Sequence, residues 1–174
     1  HEIALAKTDM ETKLRRYLQN GITTVIDVGA NYQLLQQRKD FTDKKYSPTV
    51  YITGPLLTTY KSKVYENLGE NNPFALTKTI EDGINAVKQQ LQYNPDFIKI
   101  WYIVGADGLS IEKSARKNLP IIKAIIDEAH KNNLKIAVHA TQRITAQLAV
   151  ENGADFLVHS ASFNHSKNLK YGYR

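Results

Sequence analysis

Apolar and polar residues follow two different periods along this chain, and together they predict a regular series of strands and helices. Short runs rich in β-branched residues predict strands, whereas longer segments with apolar residues three and four positions apart predict helices. The predicted strands cover residues 23–28, 50–54, 97–104, 135–140 and 155–160. The predicted helices cover residues 7–20, 79–92, 120–133 and 144–153.

Several of these helices have recognisable ends. Thr79 followed by Asp82 has the pattern of a capping box, and Pro120 suits the first turn of a helix. Gly153 is typical of a residue that stops a helix. Residues 55–78 show no clear period, so we expect a long loop between the second strand and the second helix.

Strands and helices alternate in the predicted order, and the later strands are apolar on both faces. Both features are typical of a parallel sheet covered by helices. Two architectures agree with them: a doubly wound sheet of five strands, or a contiguous part of an eight-stranded (β/α) barrel, which takes about 250 residues when whole. The length of 174 residues favours the first architecture, whereas the candidate chemistry favours the second.

The composition is that of an ordinary globular protein, with 42% apolar and 23% charged residues. No apolar run is long enough to cross a membrane, and the first ten residues do not resemble a signal peptide, so no membrane partner is expected. The chain has no cysteine, which excludes disulfides, thiolate ligands and cysteine nucleophiles but leaves the compartment open.

The formal net charge is +6, and the basic residues are scattered along the chain. Residues 43–65 mix lysine and tyrosine, a pattern that suits either a groove for a single-stranded nucleic acid or a solvated surface. Basic blocks this short are common on ordinary surfaces, so we expect no nucleic-acid partner.

Lys99 is the most unusual residue of the predicted strand 97–104. Because side chains alternate between faces, Lys99 shares one face with Trp101, while Ile98 and Ile100 lie on the other. Both faces are otherwise apolar, and a buried ammonium group is costly unless something pairs with it. The position therefore indicates a lysine paired with a structural carboxylate, a strand that is more exposed than its composition suggests, or a functional lysine.

His139 and His159 occupy equivalent positions at the carboxyl ends of two successive predicted strands. Alternation places His139 on one face with Ala137, and His159 on one face with Asp155 and Leu157. A single histidine at such a position is more often structural. Two of them favour a metal site, because the carboxyl ends of parallel strands bind ligands, imidazole commonly ligates zinc-like metals, and neighbouring strands lie only about 4.8 Å apart.

Other polar residues are weaker candidates. Asp27 is the penultimate residue of the predicted strand 23–28 and suits either a partner of a metal ligand or a cap of the following turn. His130 and His165 are expected on the surface, and His1 has no assigned role. None of these three histidines is assigned to a site.

Three segments resemble the metal-dependent amidohydrolases related to imidazolonepropionase and to the metal-dependent prolidases. Residues 21–30 (GITTVIDVGA) resemble the second-strand segment of that family. Residues 95–101 (PDFIKIW) resemble its fourth strand, whose lysine becomes carboxylated. Residues 125–160 resemble its fifth and sixth strands, each of which ends in a metal-binding histidine. The ordered set of lysine, histidine and histidine makes the resemblance specific.

This resemblance implies a TIM-type (β/α)8 barrel, of which the chain contains about strands 2 to 6, with the parallel sheet inside and the helices outside. It also implies that Lys99, as its carbamate, bridges two divalent ions and that His139 and His159 ligate one of them. Zinc is the expected metal, one or two ions in the complete protein, although such ligands also suit manganese and iron. The implied reaction is hydrolysis of C–N bonds in small amides, cyclic amides or dipeptides by a metal-activated water.

The sequence departs from the family pattern in two respects. The family carries a His-x-His pair on its first strand and a general-base aspartate on its eighth, and this chain has no His-x-His and is expected to end after strand six. We therefore interpret residues 1–174 as one incomplete (β/α) barrel catalytic domain that is inactive by itself. Open sheet edges favour pairing with another chain, so a homo-oligomer is an expected partner besides the small-molecule substrate.

Two other functions stay open on the sequence alone. A non-catalytic structural or interaction domain with the same α/β architecture needs no metal and would tolerate methionine in place of Lys99. A phosphate-binding barrel would suit the segment GADFLVHS, but that class has glycine-rich loops after its late strands, which this sequence lacks.

Overall fold

A computed structural model describes residues 9–42, 44–61 and 72–161 of the chain. Its helices are α1 (Met10–Gln19), α2 (Tyr32–Gln36), α3 (Ile80–Leu91), α4 (Ile111–Lys131) and α5 (Arg143–Glu151). Its strands are β1 (Thr24–Asp27), β2 (Thr49–Ile52), β3 (Leu56–Thr58), β4 (Phe74–Leu76), β5 (Ile98–Trp101), β6 (Ile136–His139) and β7 (Phe156–Leu157). Over these ranges, no helix is long and apolar enough to cross a membrane.

The strands form two sheets in which every pairing is parallel. β1 pairs with β2, and the second sheet has the order β4-β3-β5-β6-β7. In the second sheet β3, β5, β6 and β7 follow one another in chain order, whereas β4 lies on the other side of β3 from β5. The predicted parallel α/β class is therefore confirmed, and the two sheets are compatible with part of a barrel.

The two faces of β5 have different surroundings, as the alternation of its side chains predicts. Ile98 and Ile100 belong to the main apolar core, together with Ile125 of α4. Trp101 instead packs in a smaller cluster with Leu56 of β3. The helices therefore cover one face of the sheet, and Lys99 shares the opposite face with Trp101.

The junction between β2 and β3 joins the two sheets. The Thr53 N–H donates to the Asp27 carbonyl at 3.0 Å and so extends the β1–β2 ladder. Pro55 has no N–H to donate, and its carbonyl accepts a 2.7 Å bond from Nε2 of the buried Gln90 in α3. A Cβ added at Gly54 would lie 2.6 Å from Cδ of Gln90, so α3 covers this junction closely.

Two aspartates, one shortly before β5 and one directly before β7, form the same pair of hydrogen bonds with a residue of another strand. Asp96 donates its N–H to the Ile52 carbonyl at 3.0 Å, and its Oδ2 accepts from the Ile52 N–H at 2.7 Å. Asp155 repeats the arrangement with Ile136, at 3.1 Å and 2.7 Å. With backbone and side chain together, Asp96 thus ties the start of β5 to the end of β2, and Asp155 ties the start of β7 to the start of β6.

A basic side chain completes each of these arrangements. Arg38 lies 2.8 Å from Asp96, and His130 of α4 lies 2.9 Å from Asp155. The predicted surface position of His130 is confirmed, since its side chain is 41% exposed. His1 and His165 lie outside the described residues.

The expectation of a long loop at residues 55–78 is wrong. The described part of this segment contains β3 and β4, which pair with each other in parallel. Strands of three residues are too short to show a period of two in the sequence. The described ranges therefore contain seven strands, whereas the sequence predicted five.

The predicted start of the helix near Pro120 is also wrong. α4 begins at Ile111, after Ser110, whose hydroxyl accepts a 3.3 Å bond from the Lys113 N–H. Proline removes one hydrogen bond from a helix interior. The helix continues through it because Ala115 and Ile122, on either side, are both fully buried in the core.

Candidate metal centre

Lys99 lies within β5, and its register partner on β6 is Ala137. The residue is 1% exposed, and its Nζ has no hydrogen-bond partner among the residues that the structure describes. Burial lowers the pKa of this amine from 10.5 to about 7. A substantial fraction of Lys99 is therefore uncharged near neutral pH, which reduces the cost of burying it.

His139 is the last residue of β6 and the register partner of Trp101. Its carbonyl accepts a 2.8 Å hydrogen bond from the Tyr102 N–H, which holds the end of β6 against β5. Nε2 of the ring is buried and has no partner within the described ranges. Burial, followed by the positive charges of His159 and Lys99, lowers the pKa of His139 to about 3, so the ring is a neutral imidazole.

His159 follows β7 and is exposed. Its ring centroid lies 4.4 Å from that of His139, with an angle of 73° between the ring planes. Burial and the nearby charge of Lys99 lower its pKa below 6.5. The structure thus brings the two predicted histidines into contact, and their charges interact with that of Lys99.

The predicted face of His159 needs a correction, because strand geometry is not what brings it to His139. β7 contains only Phe156 and Leu157, and Leu157 pairs with Val138 on the helix-covered face. Leu157 accordingly lines a groove beside α5. The chain leaves regular strand geometry after Leu157, and this change of direction returns His159 to the side of His139.

Asp155 is a second correction on this strand. Its carboxylate binds the Ile136 N–H and His130 at the amino-terminal end of β6, rather than sharing a face with His159. Asp27 is 2% exposed, and its Oδ1 accepts a 3.3 Å bond from the Gly29 N–H. That bond agrees with the predicted alternative in which Asp27 caps the turn after β1.

An aromatic wall, formed by Trp101, Tyr60 and Phe74, stands beside His139. The Trp101 ring centroid is 5.6 Å from Tyr60, 4.9 Å from Phe74 and 5.8 Å from His139. Sequence reasoning missed Tyr60 and Phe74, because both lie in the segment expected to be a loop. The only available signal was the predicted face of Trp101, which required something to cover it.

A cavity of about 410 Å³ borders this wall at Tyr60. Tyr60 and Ile103 line one part of it, and Asp107, Ser114 and Lys117 line another. The cavity sits where the loops after β3 and β5 meet the start of α4, which is the carboxyl end of the sheet. It therefore adjoins the edge at which parallel α/β folds bind ligands.

The side chains of Lys99, His139 and His159 suit a divalent metal only if Lys99 supplies an oxygen ligand. Across the described residues, no group of three or more histidine, cysteine, aspartate or glutamate side chains is placed to hold an ion. Two imidazoles beside a buried amine fit a divalent ion once that amine carries a carboxylate group. Five buried side-chain atoms of the described residues lack a hydrogen-bond partner, and two of them, Lys99 Nζ and His139 Nε2, are the ones such a group and ion would engage.

No protein-family model and no curated protein matches the chain. Solved structures do share its fold. A prolidase in complex with N-methylphosphonate-L-proline has a TM-score of 0.61 and 18% identity, over 87% of this chain and 44% of that one. The ochratoxinase of A. niger has a TM-score of 0.62 and 19% identity, over 83% of this chain and 38% of that one.

A Xaa-Pro dipeptidase with methionine bound in its active site gives the same result, with a TM-score of 0.56 and 20% identity, over 83% of this chain and 38% of that one. The chain spans less than half the length of each of these structures. At such identities the likeness concerns the fold. The chain therefore has the fold of a part of the amidohydrolase and prolidase structures, as its sequence segments suggested.

Proposed function

We propose that this chain forms part of a metal-dependent hydrolase that cleaves C–N bonds in small amides, cyclic amides or dipeptides. The observation that carries the proposal is the pair of buried, partnerless atoms on adjacent strands, Lys99 Nζ and His139 Nε2. In a purely structural domain, a buried amine without a partner would only lower the stability, because each unsatisfied buried polar group costs roughly 1–3 kcal/mol. A carboxylated lysine on a metal removes that cost.

Lys99 supports this role through its protonation state. With a pKa of about 7, a large fraction of the side chain is free amine at neutral pH. The Nζ lone pair attacks carbon dioxide, a proton leaves the nitrogen, and the product is a carbamate anion. Lys99 would then present oxygen donors, and His139 and His159 would present imidazole nitrogens.

Lys99, His139 and His159 would hold a divalent ion, which would supply Lewis acidity toward a substrate carbonyl and a bound water. The protein's own contribution is to orient the donors. β5 and β6 fix Lys99 and His139, whose strands pair in register. The low pKa of His139 keeps its ring neutral, so a ring nitrogen retains the lone pair that ligation needs.

The aromatic wall would hold the apolar part of a substrate. Trp101 is 8% exposed and lies between His139 on one side and Tyr60 and Phe74 on the other. Such a surface suits the ring of a cyclic amide or the side chain of a dipeptide. The prolidase and the Xaa-Pro dipeptidase that share the fold are named for small peptide substrates, which supports this substrate class.

We expect the chain to bind metal but not to turn over substrate by itself. Its 174 residues contain no His-x-His pair, and the family that it resembles uses such a pair as further ligands. The site of this chain would thus be a partial one. Turnover of Xaa-Pro dipeptides or small cyclic amides by the pure chain would contradict this expectation.

Zinc content tests the proposal. The metal-free chain is incubated with zinc and bicarbonate, passed through a desalting column, and analysed for zinc beside two variants. We expect zinc in the parent and in His130→Ala, which removes an exposed histidine on the opposite edge of the sheet, and none in the His139→Ala/His159→Ala double variant. Equal zinc in all three proteins, or none in a folded parent, would contradict the proposal and favour a non-catalytic α/β domain.

A further inference from the structure

Gln142 links the carboxyl ends of β5 and β6, the two strands that carry Lys99 and His139. Its Oε1 accepts a hydrogen bond from the Val104 N–H at 3.2 Å, and its Nε2 donates to the Val104 carbonyl at 2.9 Å. One side-chain amide thus binds both backbone polar groups of one residue. Val104 is 5% exposed and Gln142 is half-buried, so water competes little for these two bonds.

These bonds continue the pairing of β5 with β6 beyond the ends of both strands. The last backbone bond between them runs from the Tyr102 N–H to the His139 carbonyl at 2.8 Å. Val104 stands two residues later, where a parallel ladder would place its next donor. The Gln142 side chain takes the place of that backbone partner, three residues after His139.

Capping of α5 does not explain the hydrogen bonds of the Gln142 side chain. Gln142 is the N-cap of α5, yet its side chain makes no capping hydrogen bond. Glutamine is not among the side chains that favour this position, which are serine, threonine, aspartate and asparagine. Its amide is therefore committed to the β5 end rather than to its own helix.

We propose that Gln142 is a positioning residue of the metal site, an inference that rests on the function proposed above. The two hydrogen bonds of its side-chain amide hold the carboxyl ends of β5 and β6 at a fixed separation, so that Lys99 and His139 bind the same ion. Gly105, with φ of 117°, turns the chain away from the sheet directly after Val104. Without these two bonds, the end of β5 loses both side-chain hydrogen bonds that tie it to the start of α5, directly after β6.

Metal affinity and cobalt spectroscopy test this inference. Gln142→Met keeps the side-chain length and removes both bonds, whereas Gln142→Glu keeps the acceptor and loses the donor. Gln147→Met is the matched control, because Gln147 lies exposed on the same helix and bonds only to Glu151 in the described structure. The measurements are the zinc dissociation constant by chelator competition, the absorption spectrum of the cobalt form, and hydrogen exchange of the Val104 amide.

We expect Gln142→Met to weaken zinc binding by about 10- to 100-fold, the usual effect of losing a group that orients a ligand. It should also alter the cobalt spectrum and speed exchange at Val104, with Gln142→Glu showing the same direction of change. Gln147→Met should stay within about twofold of the parent. If Gln142→Met does not fold, the zinc affinity and the cobalt spectrum of Gln142→Glu test the inference instead.

Two failures are distinguishable. If the parent binds zinc through His139 and His159, and folded Gln142 variants match its affinity and cobalt spectrum, then the inference about Gln142 is wrong and the proposed function stands. If the folded parent binds no zinc, then the proposed function is wrong, and the inference is overturned with it.

Discussion

The imidazole rings of His139 and His159 lie with their centroids 4.4 Å apart, although His139 is half-buried at the end of β6 and His159 is exposed beyond β7. Burial lowers the pKa of both rings, and their charges oppose each other and that of Lys99 at this distance. Protonation of the two imidazoles and of the Lys99 amine is disfavoured, because no described carboxylate lies between them. The same arrangement suits a metal ion, which competes with protons for the same lone pairs.

Replacing the buried amine should stabilise the metal-free protein. Lys99→Met keeps the length of the side chain and removes an amine without a described partner, so we expect the free energy of unfolding to rise by about 1–3 kcal/mol at pH 10, where the folded amine is uncharged. The same change should abolish zinc binding. Urea denaturation of the metal-free proteins measures the first effect, with Lys88→Met on the exposed face of α3 as the control. Marked destabilisation would mean that Lys99 has a structural partner.

The depressed pKa of Lys99 predicts a pH dependence of stability. The amine has a pKa of about 7 in the folded chain and 10.5 in its ordinary state. Between these values the unfolded chain binds the proton and the folded chain does not, so stability rises with pH across this range. The slope contributed by Lys99 is at most about 1.4 kcal/mol per pH unit.

This slope is measured as the difference between the parent and Lys99→Met. Both proteins are unfolded by urea at several pH values from 7 to 10, without metal and without carbon dioxide, which would form the carbamate. The two stabilities should converge as the pH rises. A difference that does not change with pH would show that Lys99 is charged in the folded chain.

Asp155 should contribute to stability through the two hydrogen bonds that its backbone and its carboxylate form with Ile136. Partial burial raises its pKa, but the bonds from the Ile136 N–H and His130 outweigh burial and hold it below 3.8. Asp155→Asn should therefore cost about 1–3 kcal/mol at neutral pH. Because the pKa is lowered, this contribution is present above the ordinary pKa of aspartate and is lost as the pH falls through the folded value.

The control for that variant is Asp127→Asn on α4. Asp127 forms an exposed ion pair with Lys123 at 2.6 Å, and exposed pairs of this kind contribute only about 0.3–0.5 kcal/mol. Urea denaturation at neutral pH and near pH 3 compares the two variants with the parent. Equal losses for Asp155→Asn and Asp127→Asn at neutral pH would refute the proposed role of Asp155.

Gly54→Ala should destabilise the junction between the sheets. The added methyl would lie 2.6 Å from Gln90, whose amide is buried and bonded to the Pro55 carbonyl, so we expect a cost of about 1–3 kcal/mol. In a Gln90→Ala background the clash disappears, and Gly54→Ala should cost much less. Thermal or urea denaturation of the four proteins gives the coupling directly. Additive effects would contradict the contact.

Much of the fold follows from the sequence where segments are long and strongly patterned. The capping box at Thr79 and Asp82 is present, with both of its bonds. The alternating faces of β5 are also as predicted, because each face of that strand meets a different apolar cluster. Local pattern decides these features, so a single sequence is sufficient to find them.

Other features depend on contacts that no local pattern contains. β3 and β4 are each three residues long, and their pairing decides their existence. Pro120 lies inside α4, because core packing on both sides outweighs one lost backbone bond. His159 reaches His139 through a change of direction after Leu157, and Gln142 reaches Val104 across two strand ends. The sequence thus predicts which residues form the candidate site, whereas the contacts that support them appear only in the structure.

The most direct test of the central claim is a crystal structure of the chain grown with zinc and bicarbonate, with anomalous diffraction measured at the zinc edge. The account predicts an anomalous peak within coordination distance of His139 and His159, and continuous density for a carboxylate group on Nζ of Lys99. Zinc bound elsewhere, or a bare Lys99 amine with no peak beside the two histidines, would contradict it.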